Sequence, residues 1–356
     1  MTRPTRIHID QKALTHNLKQ VKAHAMSRKI IAMVKANAYG CGIASVISAL
    51  ESDVDAFGVA SLEEALSIRA LGSRKDCVLF QGIFNSDELK PVYQNNFQIV
   101  IHQHHQLKWL VNTALPAPVK VWVKVDTGMH RLGFEPHEIH SIMQILQVCP
   151  WVHREIGLMS HFACADEVGN PVNQAQLNAF NQLLLPKGDY IRSIANSAAI
   201  LTLPESHADV VRPGIMLYGI SPFPDKIGLE IGLLPVMHFN SAISAIHHFP
   251  PYSPIGYGAS WQSPKPSIIG VVPAGYGDGY PRHIDGGEVW INGDIVPIVG
   301  RISMDMLTID LTMSPNAKVN DRVELWGSHI PVETVAKKAD TIAYELLCKV
   351  APRVRT

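Results

Sequence analysis

The sequence predicts an N-terminal parallel (β/α)8 barrel over residues 1–228, followed by a C-terminal mainly-β domain over residues 229–356. Three observations carry that prediction. Short apolar runs alternate with amphipathic stretches up to about residue 220. The runs number eight, at which parallel strands joined by helical crossovers close on themselves. Beyond about Gly228 the pattern changes to strands and turns with few helices.

The runs are Ile30 to Val34, Ala56 to Ala60, Cys77 to Phe80, Phe97 to Ile101, Val119 to Val125, Glu155 to Met159, Tyr190 to Ala195 and Asp209 to Arg212. The first reads as a strand buried on both faces, ending at Lys35, and the small residues Ala36 to Gly42 read as a tight turn before a helix. Ser61 with Glu64 has the spacing of a capping box ahead of Ala65, Leu66 and Ile68, and predicts a helix start. A second helix is predicted from Asn173 through Phe180, Leu183 and Leu184. An open doubly wound sheet is the alternative, weakened because no G-x-G-x-x-G turn follows the first strand. Ser221 to Gly228, with Pro222 and Pro224, reads as the link between domains. In the second domain, Glu288 to Ile291 and Asp294 to Val299 flank Asn292-Gly293, the signature of a two-residue hairpin turn. One helix is predicted from Val332 to Val350, with Val335, Ala339, Ile342, Leu346 and Val350 on its buried stripe.

Composition narrows the chemistry. The 31 basic and 31 acidic residues balance, which gives no bulk charge for nucleic acid or an anionic membrane and points to a small-molecule partner. Five scattered cysteines without a Cys-x-x-Cys pair argue against a disulfide framework or structural zinc and fit a reducing compartment. No segment from Met1 onward has the apolar length of a signal core or a membrane helix, so a cytoplasmic location is expected. Seventeen histidines hint at metal, but His102, His104 and His105 lack ligand spacing and no metal site is expected.

A barrel builds its active site where the strands end. There the sequence places Lys35 and Tyr39 after the first run, Lys124, Asp126 and Arg131 at the fifth, His161 after the sixth, Asn196 and Ser197 after the seventh, and Arg212, Gly214 and Ile215 after the eighth. A lone lysine at a strand end more often lays its stem on apolar surface and reaches water. Several ionisable groups at one mouth are harder to explain as solvated surface. Asn196-Ser197 and Arg212-Pro213-Gly214-Ile215 stand where barrels hold phosphate, and a phosphate anchor opposite a lysine suggests pyridoxal 5'-phosphate bound through a Schiff base.

Val34-Lys35-Ala36-Asn37-Ala38-Tyr39-Gly40 resembles the cofactor-lysine motif of alanine racemases. The resemblance extends through Lys124 to Phe134, Leu158 to Ala163, Ser193 to Ala199, Val211 to Gly219, Gly256 to Gly258, Ala274 to Arg282 and Gly300 to Met306, nearly the whole chain. It implies a pyridoxal-phosphate enzyme that interconverts L-alanine and D-alanine, supplying D-alanine for peptidoglycan or degrading it. Lys35 would be the base for the D-isomer and the partner subunit's Tyr257 the base for the L-isomer, on opposite faces. His161 would link that tyrosine to Arg212, whose guanidinium would face the pyridine nitrogen and, by keeping its proton, leave the ring a poorer electron sink. Tyr39, Ser197, Gly214, Ile215 and Tyr344 match phosphate contacts, with Asn196 beside them. Arg131 matches the residue that bonds the cofactor's phenolic oxygen and steers the substrate, and Met304 with Asp305 matches the contact to the substrate carboxylate. Lys124 matches a position often carbamylated. Asp166, Tyr276, Arg282 and Arg301 match an entrance corridor. The implied assembly is a homodimer with shared active sites. Two departures stand out: Cys41 where many members have histidine, and Gly277 for a common alanine.

Two rival readings keep the cofactor. A decarboxylase on the same barrel would place an acid at the pyridine nitrogen, where this chain has Arg212. A non-catalytic carrier would not need a second domain bearing Tyr257 and Met304.

Overall fold

The structure, a computed structural model, describes residues 3–354; the ends of the two predicted domains at residues 1, 2, 355 and 356 lie outside the described residues. All eight predicted barrel strands form, within about two residues of the apolar runs: β2 (Lys29–Met33), β3 (Ala56–Val59), β4 (Asp76–Leu79), β5 (Gln98–Ile101), β6 (Val121–Lys124), β7 (Ile156–Met159), β8 (Tyr190–Ser193) and β9 (Val210–Val211). They pair in parallel in the order β8-β7-β6-β5-β4-β3-β2-β9. The seam between β8 and β9 is closed by Asp209 N donating to Arg192 O (3.1 Å) and Arg212 N donating to Ala195 O (3.0 Å). β3, β5, β6 and β7 are buried along their whole length, as strands covered on both faces must be.

The first strand of the chain, β1 (Arg6–Ile9), escaped the sequence reading. It belongs to the second sheet, pairing antiparallel with β10 (Met237–Ala242). That sheet continues through β11 (Ala245–Phe249), β14 (Ser267–Val272), β15 (Glu288–Ile291), β16 (Asp294–Val299), β17 (Leu307–Asp310) and β18 (Arg322–Trp326), in the order β1-β10-β18-β15-β16-β17-β14-β11. Between β11 and β14 a small hairpin of β12 (Pro254–Ile255) and β13 (Trp261–Gln262) stands apart. The predicted β15–β16 turn is present, with Asn292 at φ 50° and Gly293 at φ 102°.

Two helix predictions need correction. The segment from Val332 to Val350 is two helices, Val332–Lys338 and Ala343–Lys349, broken at Asp340 (φ 53°). Val335, Leu346 and Val350 are buried as expected, but Ile342 is 63% exposed because it precedes the second helix and does not share its inner face. The helix begun at Asn173 starts earlier and stops sooner, spanning Pro171–Asn181; Leu184 lies beyond it, exposed. The two helical pieces fasten the domains together. Glu333 Oε1 accepts from Ser221 N (3.1 Å) and Gly228 N (2.8 Å), so the link is held by a carboxylate from the C-terminal segment.

Candidate active site

The carboxyl end of β2 carries Lys35 into a left-handed turn. Ala36, Asn37, Ala38 and Tyr39 have φ of 53°, 54°, 54° and 52°, a conformation costing L-residues on the order of 1–2 kcal/mol each. Such a run persists only where its surroundings over-determine it. Ala38 N donates to Val34 O (2.9 Å), Gly40 N to Ala36 O (3.0 Å) and Ile43 N to Asn37 Oδ1 (2.9 Å). Glu64 supplies the outside brace, its Oε1 accepting from Ala36 N (2.6 Å) and its Oε2 from Ala60 N (2.7 Å). The capping box predicted for Ser61 and Glu64 therefore does not form, although the helix Leu62–Ala70 does. Two backbone donors converging from neighbouring strand ends hold this carboxylate better than one N-cap would.

At the far end of the turn, a Cβ on Gly40 would lie 1.9 Å from Leu347 O, so only glycine lets the helix Ala343–Lys349 sit against it. That contact brings Tyr344 to Tyr39, ring centroids 6.2 Å apart, while Tyr39 stacks on Tyr218 at 4.6 Å. Burial pushes the Tyr39 phenol well above its usual range and that of Tyr344 to about 12, with Asp166 adding to the latter. Both stay protonated hydroxyls near neutrality.

Across the mouth, Asn196 caps the helix Ser197–Thr202, its Oδ1 accepting from Ala199 N (3.0 Å). Ser197 Oγ accepts from Gly214 N (2.9 Å) and Met216 N (3.4 Å), which ties this helix start to the backbone on either side of Ile215. A Cβ on Gly214 would come within 2.6 Å of Tyr39 Oη, so the missing side chain leaves room for the phenol beside this cradle. Arg212, just past β9, is 4% exposed. It donates from Nη1 to Ser193 Oγ (2.6 Å) and from Nη2 to Ser160 O (2.7 Å), Ile194 O (3.2 Å) and His161 Nδ1 (3.3 Å). Among the described residues, no carboxylate pairs with it and its Nε–H meets no acceptor. Burial lowers its pKa to about 10, so it remains a cation.

A guanidinium only donates, so His161 Nδ1 must accept, which leaves its proton on Nε2. Burial first, then Arg212, Lys124 and Arg131, hold the imidazole well below its usual pKa and keep it neutral. Lys124, at the end of β6, is buried, and burial with Arg212 and Arg131 lowers its amine to about 8. Among the described residues no carboxylate lies within salt-bridge distance of it. The loop that follows is shaped by Asp126 Oδ1, which accepts from the backbone N–H of Gly128, Met129 and His130, and it carries Arg131 out to the mouth. Lys35 is exposed along its side chain in the single chain, yet its ammonium meets enough protein to lower its pKa, burial leading and Arg131 second.

The second-domain residues stand differently. Tyr257 is 68% exposed in the β12–β13 hairpin, between Gly256 (φ 74°) and Gly258 (φ 70°); a Cβ on Gly258 would lie 3.1 Å from Arg301 Nη1, which places Arg301 beside the tyrosine's turn. Met304 is 53% exposed, and its carbonyl accepts from Gly277 N (2.8 Å) while Tyr276 N donates to Ser303 O (3.1 Å). A Cβ on Gly277 would lie 2.7 Å from Arg353 Nη2 and 3.0 Å from Met304 O, so the bare glycine lets this backbone approach closely. The Asp305 carboxylate is taken by Arg353 Nη2 (2.6 Å). Asp166, Arg282 and Arg301 are exposed.

Comparison with known proteins matches this arrangement along the chain. The alanine racemase N-terminal domain matches residues 9–222 and the alanine racemase C-terminal domain residues 236–356. The chain belongs to the alanine racemase family. Alanine racemase of Legionella pneumophila (strain Lens) is 58% identical over 356 residues, covering 100% of this chain and 99% of its own. A crystal structure of biosynthetic alanine racemase from Pseudomonas aeruginosa superposes with a TM-score of 0.95 at 41% identity, covering 100% of this chain and 99% of that one. The alanine racemase from Bartonella henselae, solved with covalently bound pyridoxal phosphate, has a TM-score of 0.88 at 30% identity, with 99% of each chain covered. An alanine racemase is an isomerase acting on a small amino acid, and the eight-stranded barrel with its antiparallel second sheet is the architecture these relatives share.

Sequence reasoning missed three residues that shape this candidate site: Glu64, Ser193 and Ser160. Glu64 was read as a helix cap. Ser193 and Ser160 sit at strand ends, a position that pointed to them in principle, but a single hydroxyl or carbonyl has no motif of its own.

Proposed function

We propose that this enzyme racemises alanine with pyridoxal 5'-phosphate, using Lys35 and Tyr257 of the partner subunit as opposed bases in a homodimer with shared sites. The observation that carries the proposal is the contrast around Arg212: a buried guanidinium with no carboxylate partner, facing the mouth where Lys35 has a lowered pKa. The residues fit the cofactor. Ser197, Gly214, Ile215, Tyr39 and Tyr344 would hold its phosphate, with the glycine cradle and two protonated phenols on one side and backbone N–H groups on the other. Arg212 would meet the pyridine nitrogen with its Nε–H, and Arg131 the phenolic oxygen. When bound, the cofactor supplies an aldehyde for a lysine amine and an electron-withdrawing ring that acidifies the substrate's α-proton.

Each side chain then has a physical task. Lys35, desolvated and beside Arg131, is deprotonated more readily than a free lysine and takes or returns the α-proton on one face. The partner subunit's Tyr257 does so on the other, which turns proton exchange into inversion. His161 is neutral with its proton on Nε2, so it donates to the phenolic oxygen, which favours the phenolate, while its Nδ1 accepts from the permanently charged Arg212. Met304 offers its backbone, and Arg131 its guanidinium, to the substrate carboxylate. Asp305 belongs to the structure of that loop through Arg353.

Lys124 completes the reading. An amine lowered to about 8 is in part neutral near pH 7, and only a neutral amine adds carbon dioxide. The carbamate it forms would be an anion among Arg131, Arg212 and Lys35, and would position Arg131. Asp166, Tyr276, Arg282 and Arg301 would line the entrance. The reading also includes a domain division at about Gly228, supported by the separate matches over 9–222 and 236–356. It places the enzyme in the cytoplasm as a source or sink of D-alanine, supported by scattered cysteines and by the lack of any described helix long and apolar enough to cross a membrane.

The test is direct. Purified protein given L-alanine should lose circular dichroism toward a racemic mixture without releasing carbon dioxide, and borohydride should fix one cofactor mass on the peptide bearing Lys35. Carbon dioxide release would favour the decarboxylase, and an unchanged signal with bound cofactor the carrier.

A further inference from the structure

The opposite end of the barrel carries a cavity that racemisation does not use. Its volume is about 210 Å³, below the roughly 300–1,000 Å³ of pockets for drug-sized ligands, so it suits a molecule of a few heavy atoms. The strand starts line it: Lys29 and Ile31 of β2, Asp55 ahead of β3, Asp76 of β4, Gln98 of β5 and Trp122 of β6 among them. Part of its lining is a hydrogen-bonded chain. Trp122 Nε1 donates to Gln98 Oε1 (2.7 Å), Gln98 Nε2 donates to Asp76 Oδ2 (2.7 Å), and Lys120 Nζ donates to the same oxygen (2.8 Å). Gly157 makes room for this lining, because a Cβ there would lie 2.2 Å from the indole.

The rim is where charge remains. Asp55 spends Oδ2 on Ile30 N (2.7 Å), leaving Oδ1; Lys29 and Glu155 make no side-chain hydrogen bond or ion pair among the described residues. Lys29 opens β2 and Glu155 precedes β7, three strand spacings apart around the ring through β9 and β8. At about 4.8 Å per spacing they face each other across the opening and do not pair. Lys120 and Asp76, also in the lining, neutralise each other at 2.8 Å, so a lone anion entering here meets the unpaired Asp55 and Glu155, and a lone cation the unpaired Lys29. A molecule with both charges satisfies both sides.

We propose that this amino-terminal mouth is a second small-molecule site that takes a zwitterion of amino-acid size, its ammonium toward Glu155 and Asp55, its carboxylate toward Lys29, and its carbon skeleton over Trp122. The site lies a full strand length from Lys35 and is independent of the cofactor reading.

Trp122 provides the readout. In full-length holoenzyme labelled with 5-fluorotryptophan, the Trp122 fluorine resonance is assigned with Trp122→Phe and followed during titration with β-alanine. It should shift to saturation, while propionate, n-propylamine and sodium chloride at equal ionic strength leave it in place. Lys29→Gln and Glu155→Gln should each weaken β-alanine binding about tenfold without changing kcat/KM for L-alanine, since neither touches the catalytic mouth. A resonance that does not move, moves equally with salt, or titrates unchanged in both variants would overturn the proposal and leave a solvent-filled barrel end.

Discussion

The barrel and the second domain contribute to the candidate site in opposite ways. On the barrel, Arg212, His161, Tyr39 and Ser197 are inward-facing and bonded to fixed partners, so their positions are set by folding alone. On the second domain, Tyr257 stands on a glycine-flanked turn and Met304 on a loop held by Gly277 N, and both are more than half exposed. A phenol that must take and return a proton gains nothing from standing in bulk water. The difference fits the proposed division of labour, in which the barrel is a finished seat and the second domain offers its exposed turns to the seat of a partner subunit.

The largest effect that sharpens this comparison is loss of Lys35. Lys35→Ala should lower racemisation in both directions by at least about 10⁴-fold and abolish borohydride fixation of the cofactor, with far-UV circular dichroism unchanged. Next comes Tyr257→Phe, which should cost about 10²–10⁴-fold in kcat with no fall in Tm, because the ring is exposed. A Tm drop of several degrees would mean that this hydroxyl is bonded within its own chain, and would break the contrast.

Glu64→Gln probes the barrel half alone. Removing a charged acceptor from Ala36 N and Ala60 N should destabilise the left-handed turn by about 1.5–3 kcal/mol, read as faster cofactor release and a lower Tm. An effect of similar size concerns Lys124. Its amine titrates near 8 in the fold and near 10.4 unfolded, so the unfolded chain holds the extra proton between those values. Stability in carbon-dioxide-free buffer should therefore rise from about pH 8 to pH 10, and Lys124→Met should flatten that rise. Denaturant midpoints across the range measure both.

The same contrast explains how much the sequence disclosed. The eight barrel strands were legible because burial on both faces leaves uninterrupted apolar runs such as Ile30 to Val34. Lys35, Arg212 and His161 were legible because strand ends are fixed points in a barrel. β1 was not, since Arg6-Ile7-His8-Ile9 buries only Ile7 fully and finds its partner some 230 residues later, in Met237–Asn240. The brace by Glu64 was equally hidden: its two bonds run to strand ends that the chain alone does not bring together. The break at Asp340 was masked because apolar residues on either side keep helical spacing across it.

The proposed division of the site between subunits is tested most directly by mixing. Equal amounts of inactive Lys35→Ala and inactive Tyr257→Phe protein, allowed to exchange subunits, give heterodimers in half of the assemblies, each with one intact site of two. The mixture should recover about a quarter of wild-type activity. No recovery, with exchange verified by mass spectrometry of the assemblies, would contradict shared sites and return Tyr257 to its own chain.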